Sequence, residues 1–233
     1  MKKTERNLVH PSLWDHYYLE GWGRVGKLRA ILGEIFQESS SRWNEAHPAL
    51  LLDLGGRESP YEELAKGFPV RWVSADLKRY KRTEICLDGE GLPFREKAFD
   101  LVLCTQVFGY VPNLCSVTGE IHRVLKPGGQ AILTEASVFP PWGEGARWRI
   151  LPDGWRTLLS RFSECQVTAD LNTVASFFRV LNIYLMILLT NVSFLEKLWQ
   201  YSFCPVFNLL GRWANSRFKD IGFAANYFVV GKK

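Results

Sequence analysis

Three aspartates, each at the end of a short apolar run, are the residues of this chain best suited to chemistry. Asp53 ends the apolar stretch "ALLLD", Asp76 ends "VRWVSAD" and Asp88 ends "TEICLD". Carboxylates grouped in this way suit ribose hydroxyls, an amino group or a ring amine, whereas they repel a pyrophosphate. The pattern therefore predicts an acidic rim for a ligand that carries such groups.

Five apolar runs of strand length must position these carboxylates, and they alternate with segments of helical period. The runs cover 49–55, 70–76, 83–88, 99–105 and 129–136, and the helical segments cover 12–37 and 114–125. Several runs are apolar on both faces, which is typical of a parallel sheet covered by helices. With further candidate strands at 162–171 and 223–233, the order predicts a doubly wound, mostly parallel, seven-stranded α/β sheet. In such a sheet the ligand lies beyond the carboxyl ends of the strands, where the aspartates stand.

The turn after the first strand can be compared with the two glycine-rich motifs that bind nucleotides. A dinucleotide fingerprint needs a further glycine where the backbone approaches the pyrophosphate, but "GGRESP" has Arg57 two places after its first glycine. A phosphate-binding loop would need Gly-Lys-Ser or Gly-Lys-Thr, which does not follow. The turn therefore disfavours both classes.

These motifs together resemble the class I S-adenosylmethionine-dependent methyltransferases, in the type 11-like branch. The matching stretches are "DLGG" (53–56), Asp76, "DGEGLPFREKAFDLVLC" (88–104) and "EIHRVLKPGG" (120–129), in the family's order. "GGRESPY", "CTQVFGYV" and "LPDGWRTL" are similar to methyltransferases associated with bacterial surface polysaccharides. The resemblance implies a Rossmann-like fold and S-adenosylmethionine as the cofactor.

The resemblance also implies cofactor contacts at the ends of the first four strands. Gly55 and Gly56 would let the backbone pass close to the methionine part, and Asp53 would help to bind its amino group. Asp76 would accept the ribose hydroxyls. The other implied contacts are Asp88 and Gly89 at the adenine amine, Leu92 with nearby apolar groups against the ring, Thr105 and Gln106 near the sulfonium, Arg57 beside the carboxylate, and Leu77 as a further cofactor contact.

The motifs identify catalytic and acceptor-binding residues less specifically than cofactor-binding ones. The relatives' "EHV" histidine is replaced by Tyr110, so its role is not carried over. Asp153, at the start of a predicted helix, is a candidate general base, with capping of that helix as the alternative, and His16 is a second candidate. The aromatic residues expected to bind a sugar-like acceptor, or else to pack an active-site loop, are Tyr110, Trp142, Trp148 and Trp155.

The chain divides into four predicted regions: an N-terminal helical cap (1–45), a cofactor-binding core (46–170), an apolar helical insertion (171–221) and a closing strand (222–233). The insertion is interrupted by polar residues and lies between two strands of one sheet, so it is not expected to span a membrane. Two alternatives remain for it. One is a substrate lid or homodimer face, and the other is an interfacial hairpin over 177–210 that contacts a membrane surface.

Composition limits the remaining classes of function. The net charge of +5 comes from scattered residues with no basic stripe between aromatics, which disfavours nucleic acid as a partner. The five cysteines show no CxxC or metal-ligand spacing, which is typical of a reducing compartment and predicts no metal. The first residues of the sequence show no continuous apolar core and no small-residue cleavage site, so we do not expect secretion. We therefore expect a cytoplasmic protein. Peripheral contact with the inner membrane surface is a further alternative.

The sequence thus predicts an S-adenosylmethionine-dependent methyltransferase that modifies a small-molecule or glycan-related acceptor, at oxygen. A lipid or quinone acceptor, or a lipid-linked sugar, is an alternative that suits the apolar insertion. A non-catalytic scaffold subunit with the same fold is another, because the turn has lost a glycine and the histidine is missing.

Overall fold

A computed structural model describes residues 9–39, 41–140, 145–219 and 222–233. It contains one seven-stranded sheet of order β3-β2-β1-β4-β5-β7-β6. The strands are β1 (Ala49–Leu54), β2 (Val70–Asp76), β3 (Ile85–Cys86), β4 (Phe99–Thr105), β5 (Leu125–Ala136), β6 (Glu164–Ala169) and β7 (Asn226–Lys232). The pairs β1–β2, β1–β4, β2–β3 and β4–β5 are parallel, so the predicted fold class is confirmed.

The sheet forms because its central strands are apolar on both faces. Six of the seven residues of β4 are buried, and β1 on one side of it is buried at five of six positions. The strand order reverses between β1 and β4, since the chain moves outward to β3 on one side and to β5 on the other. A ligand of such a sheet lies at this reversal, beyond the carboxyl ends of the strands.

The stretch "KPGG" lies inside β5 rather than in a separate turn before it. Phe99 pairs with Leu125 but Leu101 pairs with Gln130, so the four residues between form a bulge. Gly128 has φ +71°, and a Cβ on Gly129 would lie 2.9 Å from the carbonyl oxygen of Asp100. The bulge therefore requires both glycines.

The last strand, β7, is antiparallel to its two neighbours in the sheet. Backbone hydrogen bonds join residues 128 and 233, and also 138 and 225, so β7 is antiparallel to β5. Bonds between 163 and 232 and between 170 and 226 show the same for β6 and β7. The sheet is therefore parallel except at β7.

The helices are α1 (Tyr18–Glu38), α2 (Leu114–Val124), α3 (Pro152–Leu158), α4 (Thr173–Leu189), α5 (Ser193–Leu198) and α6 (Cys204–Arg217), with a π-helical segment at Trp199–Phe203. The helix expected over 12–37 thus begins later, at Tyr18. Among the described residues, no helix is both long enough and apolar enough to cross a bilayer.

The chain separates into two compact units. The helical unit has described residues 9–28, 138–140, 169–219 and 222–226, and the sheet unit has 29–39, 41–137, 145–168 and 227–233. The division falls inside α1 instead of at residue 45, because the first half of α1 packs within the helical unit. There, a Cβ on Gly211 of α6 would lie 2.5 Å from Leu19 of α1.

Candidate functional site

The turn after β1 can be made only with glycines. Gly55 has φ +76°, its N–H donates to the carbonyl oxygen of Ala75 (2.7 Å), and a Cβ there would overlap the side chain of Val107. A Cβ on Gly56 would overlap the carboxylate of Asp53. The backbone of this turn is therefore held directly against a carboxylate, with no room for a side chain between them.

Asp53 itself is fully buried. Its Oδ2 accepts a hydrogen bond from Trp72 Nε1 (3.2 Å), and its Oδ1 is buried without a hydrogen-bond partner among the residues that the structure describes. Burial raises the pKa of this carboxyl from 3.8 to about 7; the Ser59 hydroxyl and the Trp72 indole beside it lower the pKa, and the nearby Asp76 and Glu62 carboxylates add to the rise. A buried oxygen with this pKa is suited to a cationic group such as an amine, which would supply the missing bond.

The rest of the turn uses left-handed residues that are not glycine. Arg57 has φ 50° and Ser59 has φ 46°. Arg57 therefore adopts, at some cost, the conformation for which glycine is preferred at this place in the motif. Its side chain is exposed, and its N–H donates to Oδ2 of Asp76 (3.1 Å).

Asp76 is fixed at the carboxyl end of β2 by backbone donors. Its Oδ2 receives the Arg57 N–H, and its Oδ1 receives the Lys78 N–H (3.0 Å). Each carboxylate oxygen can accept a second hydrogen bond, which leaves both oxygens able to bind a pair of hydroxyls. Leu77, the next residue, has an exposed side chain beside this carboxylate.

The loop after β3 is more open. Asp88 is exposed, and its Oδ1 accepts from the Glu90 N–H (3.0 Å), while Gly89 has space for a Cβ at ordinary contact distance. Leu92, expected against the adenine ring, is instead buried in the core, and its N–H donates to Glu120 (2.8 Å). The loop thus leaves Asp88 exposed, while Leu92 anchors its far end to the core.

A buried glutamate, which the sequence reasoning missed, organises the loop after β4. Thr105 ends β4, and Gln106 follows with φ 57°. Glu135, near the end of β5, accepts hydrogen bonds from the N–H groups of Gly109 (2.7 Å) and Ala136 (3.0 Å). A Cβ on Gly109 would lie 3.2 Å from the Glu135 carboxyl group, which explains the small residue there. The strand-end rule that selected the three aspartates would also have selected Glu135.

The aromatic residues predicted for the acceptor are not all placed alike. Tyr110 is 41% exposed and Trp148 is 40% exposed, and Trp148 Nε1 donates to the carbonyl oxygen of Val111 (2.8 Å). Both side chains therefore present a ring surface at the loop after β4. Trp142 lies outside the described residues.

Trp155 occupies a different environment. It is fully buried in α3 and packs edge to face on Phe108, with ring centroids 5.0 Å apart. The stacking surface predicted for a sugar therefore does not include this residue, which belongs to the core of the sheet unit.

The candidate bases are found in separate surroundings. Asp153 lies in the first turn of α3 with its side chain 96% exposed, and it pairs with Arg156 (2.6 Å) instead of capping the helix. His16 belongs to the helical unit, where its Nδ1 lies 3.6 Å from Asp15 and its ring is 4.1 Å from that of Tyr17. Across the described ranges, no group of three or more His, Cys, Asp or Glu residues is arranged to hold a metal ion.

The strand order, the glycine turn closed on a buried aspartate and the carboxylate at the end of β2 are features of one class of structure, the Rossmann-like fold of S-adenosylmethionine-dependent methyltransferases. The cofactor of that class is S-adenosylmethionine. Residues 70–133, from β2 into β5, match the family model described as a methyltransferase domain.

Curated relatives share only part of their length with this chain. A highly reducing polyketide synthase of Alternaria alternata is 27% identical over 149 residues, which make up 64% of this chain and 6% of the synthase. An uncharacterized protein of Methanocaldococcus jannaschii is 35% identical over 107 residues, covering 42% of this chain and 47% of that protein. The chain thus spans less than half of either relative.

Solved structures agree over most of the chain. The cyclase SpnF superposes with a TM-score of 0.56 at 16% identity, covering 93% of this chain and 82% of SpnF. A SAM dependent methyltransferase from Archaeoglobus fulgidus gives a TM-score of 0.51 at 14% identity, covering 88% of this chain and 94% of that one. At such identities the likeness shows the fold alone.

Proposed function

We propose that this protein transfers the methyl group of S-adenosylmethionine to an oxygen of a small-molecule or glycan-related acceptor. The observation that carries the proposal is the buried Asp53 Oδ1, which has no hydrogen-bond partner in the described part of the chain and lies against the glycine turn. A scaffold without ligand gains nothing from an ionisable group whose burial is costly. The ammonium group of the cofactor's amino acid part would offset this cost.

The residues present fit the cofactor in three places. Asp53 with the Gly55–Gly56 backbone would hold the amino acid part, and Asp76 would accept the two ribose hydroxyls. Asp88 and Gly89 would contact the adenine, with Leu77 against its ring. Thr105 and Gln106, at the end of β4, would line the side from which the acceptor approaches.

The catalytic work left to the chain is mostly positioning. S-adenosylmethionine supplies a methyl group that its sulfonium already activates. The chain therefore needs to hold the acceptor oxygen in line at short distance and to exclude water, which the rings of Tyr110 and Trp148 would do. A hydroxyl acceptor also loses a proton, and Asp153 is the base that we assign to it, with His16 as the alternative.

A second candidate function is methyl transfer to a lipid or quinone acceptor. It is favoured by the many exposed apolar side chains of α4–α6, which a lipid would cover. In either case we propose a cytoplasmic protein, because all five cysteines are free.

The decisive experiment is calorimetric titration with S-adenosylmethionine, S-adenosylhomocysteine and, as the control nucleotide, NADH. We expect micromolar binding of the first two and none of NADH. Asp76→Ala should bind both ligands more weakly by about 1.5–3 kcal/mol through the loss of charge-assisted hydrogen bonds. Wild-type protein that binds none of them would contradict methyl transfer and favour a non-catalytic scaffold subunit. Sugar, lipid and quinone acceptors can then be compared by transfer of a labelled methyl group.

A further inference from the structure

The helices α4 and α6 have polar side chains on their buried faces. Ser176, Arg179 and Asn182 of α4 are buried, as is Asn208 of α6. Asn182 Nδ2 donates to Asn208 Oδ1 (3.1 Å), and Asn182 Oδ1 accepts from Trp199 Nε1 (2.9 Å). The two helices are therefore joined through a hydrogen-bonded polar seam as well as by apolar packing.

Their exposed faces, in contrast, are apolar. Leu188 and Phe194, on either side of the turn between α4 and α5, are each 72% exposed, and Trp213 is 58% exposed. Along α6, exposed residues recur at helical spacing as Val206, Leu209, Leu210 and Trp213. We call these six side chains the apolar helical face.

This arrangement of polar and apolar faces is the reverse of that in a water-exposed surface helix. A surface helix directs its polar stripe outward, and a helix that is apolar on its outer side is normally covered. Exposed patches of this kind mark contact with a partner or a membrane. The apolar helical face is therefore built to meet an apolar phase.

The charged residues of the same unit indicate which partner the apolar helical face binds. Between residues 171 and 219 the sequence has one acid, Glu196, against five basic residues. Arg179 is buried, and Arg212, although exposed, contacts Tyr18 and Trp22. Lys197, Arg217 and Lys219 are also exposed on the same unit. A second copy of this chain would bring like charges together, whereas anionic lipid headgroups would offset them.

We propose that the apolar helical face docks in the plane of an anionic bilayer, with Leu188 and Phe194 entering the acyl region. The exposed lysines and arginine contact the headgroups, and Trp213 lies at the level where indole rings are favoured. Docking of this kind needs no helix that spans the bilayer. The proposal is independent of which acceptor is methylated, because it concerns the helical unit alone.

Vesicle flotation with the full chain tests the proposal. Vesicles of phosphatidylcholine with 30% phosphatidylglycerol should carry the protein at least fivefold more strongly than phosphatidylcholine alone, and 0.5 M salt should reduce the binding. The double variant Leu188→Ser/Phe194→Ser should lose at least tenfold in binding. Leu151→Ser changes a leucine of the sheet unit that is 60% exposed, and this variant should bind as the wild type does.

Three results would overturn the proposal: no binding to either vesicle, equal binding to both, or unchanged binding by the double variant. A lipid-free dimer in light scattering that the double variant abolishes would also overturn it, since a second copy would then cover the face. Circular dichroism checks that each variant is folded. Flotation without S-adenosylmethionine keeps the result separate from the test of methyl transfer.

Discussion

At the scale of single residues, the contact between Asp53 and Trp72 lies at the proposed cofactor site. The indole N–H satisfies one carboxylate oxygen, and burial keeps the other from water. Since burial raises the pKa of Asp53 to about 7, this carboxyl is mostly protonated below pH 7 and mostly ionised above it. Trp72 thus fixes the orientation of the carboxylate that we propose as a cofactor contact.

The first prediction concerns the pH dependence of cofactor affinity. Because a bound ammonium group favours the Asp53 carboxylate, binding releases a proton below pH 7. We expect S-adenosylmethionine to bind about tenfold more weakly at pH 6 than at pH 8, measured by calorimetry. Asp53→Asn should remove this dependence. The same dependence in the variant would show that another group titrates.

Protein stability should respond to the same carboxyl group. Between pH 3.8 and about 7 the unfolded chain has lost this proton while the folded chain retains it, so the free energy of unfolding falls as pH rises across this window. Above the window the penalty is constant. The free energy of unfolding of Asp53→Asn should therefore be closest to that of the wild type at low pH, where the wild-type carboxyl is also uncharged.

Arg57 carries the second prediction. Its left-handed conformation costs roughly 1 kcal/mol that glycine would not incur. Arg57→Gly should therefore raise the free energy of unfolding, measured in urea, by up to that amount, less the extra entropy of the glycine-containing unfolded chain. Cofactor affinity should be unchanged. An affinity loss of more than tenfold would instead show that the guanidinium contacts the cofactor.

At the scale of elements, α4 depends on one buried ion pair. Arg179 Nη1 lies 2.8 Å from Asp170 Oδ2, and both side chains are almost completely buried. Burial raises the pKa of Asp170 even though Arg179 and Arg24 lower it, so the pair is not strongly stabilising by itself. Its importance lies in what remains when one partner is removed.

Asp170→Asn should accordingly destabilise the protein by about 3–5 kcal/mol, because a buried guanidinium loses its counter-charge. The double variant Asp170→Leu/Arg179→Met should lie much closer to the wild type in urea unfolding. Asp153→Asn removes the exposed pair with Arg156 and serves as the matched control, with no measurable change expected. A double variant as unstable as the single one would contradict this account.

At the scale of the whole molecule, cofactor binding should raise thermal stability. A ligand at a hundredfold its dissociation constant stabilises the folded state by about 2.7 kcal/mol. For a chain of 233 residues this corresponds to a rise in Tm of roughly 5–10 °C in scanning calorimetry. Gly56→Ala, whose Cβ would overlap the Asp53 carboxylate, should show no rise. A full rise in this variant would place the ligand elsewhere.

The strand-end pattern was sufficient to predict the class of fold. The contacts of the three aspartates with a cofactor stay a prediction. Alternating apolar runs and helical segments are local signals, and they led to the observed sheet because parallel strands must be apolar on both faces. Leu92 shows the limit of such reasoning. It stands in a motif beside Asp88, yet it points into the core, which its neighbours along the chain do not reveal.

The sequence by itself determined the sheet, the glycine turn and the three aspartates, because each depends on residue type and near spacing. Only the tertiary structure decided that Trp72 holds Asp53, that Glu135 occupies the space beside Gly109, and that Trp155 is core. It also decided which side of α4 and α6 faces outward. These features join residues distant in the chain, and an apolar residue on a helix has the same identity whether its face is buried or exposed.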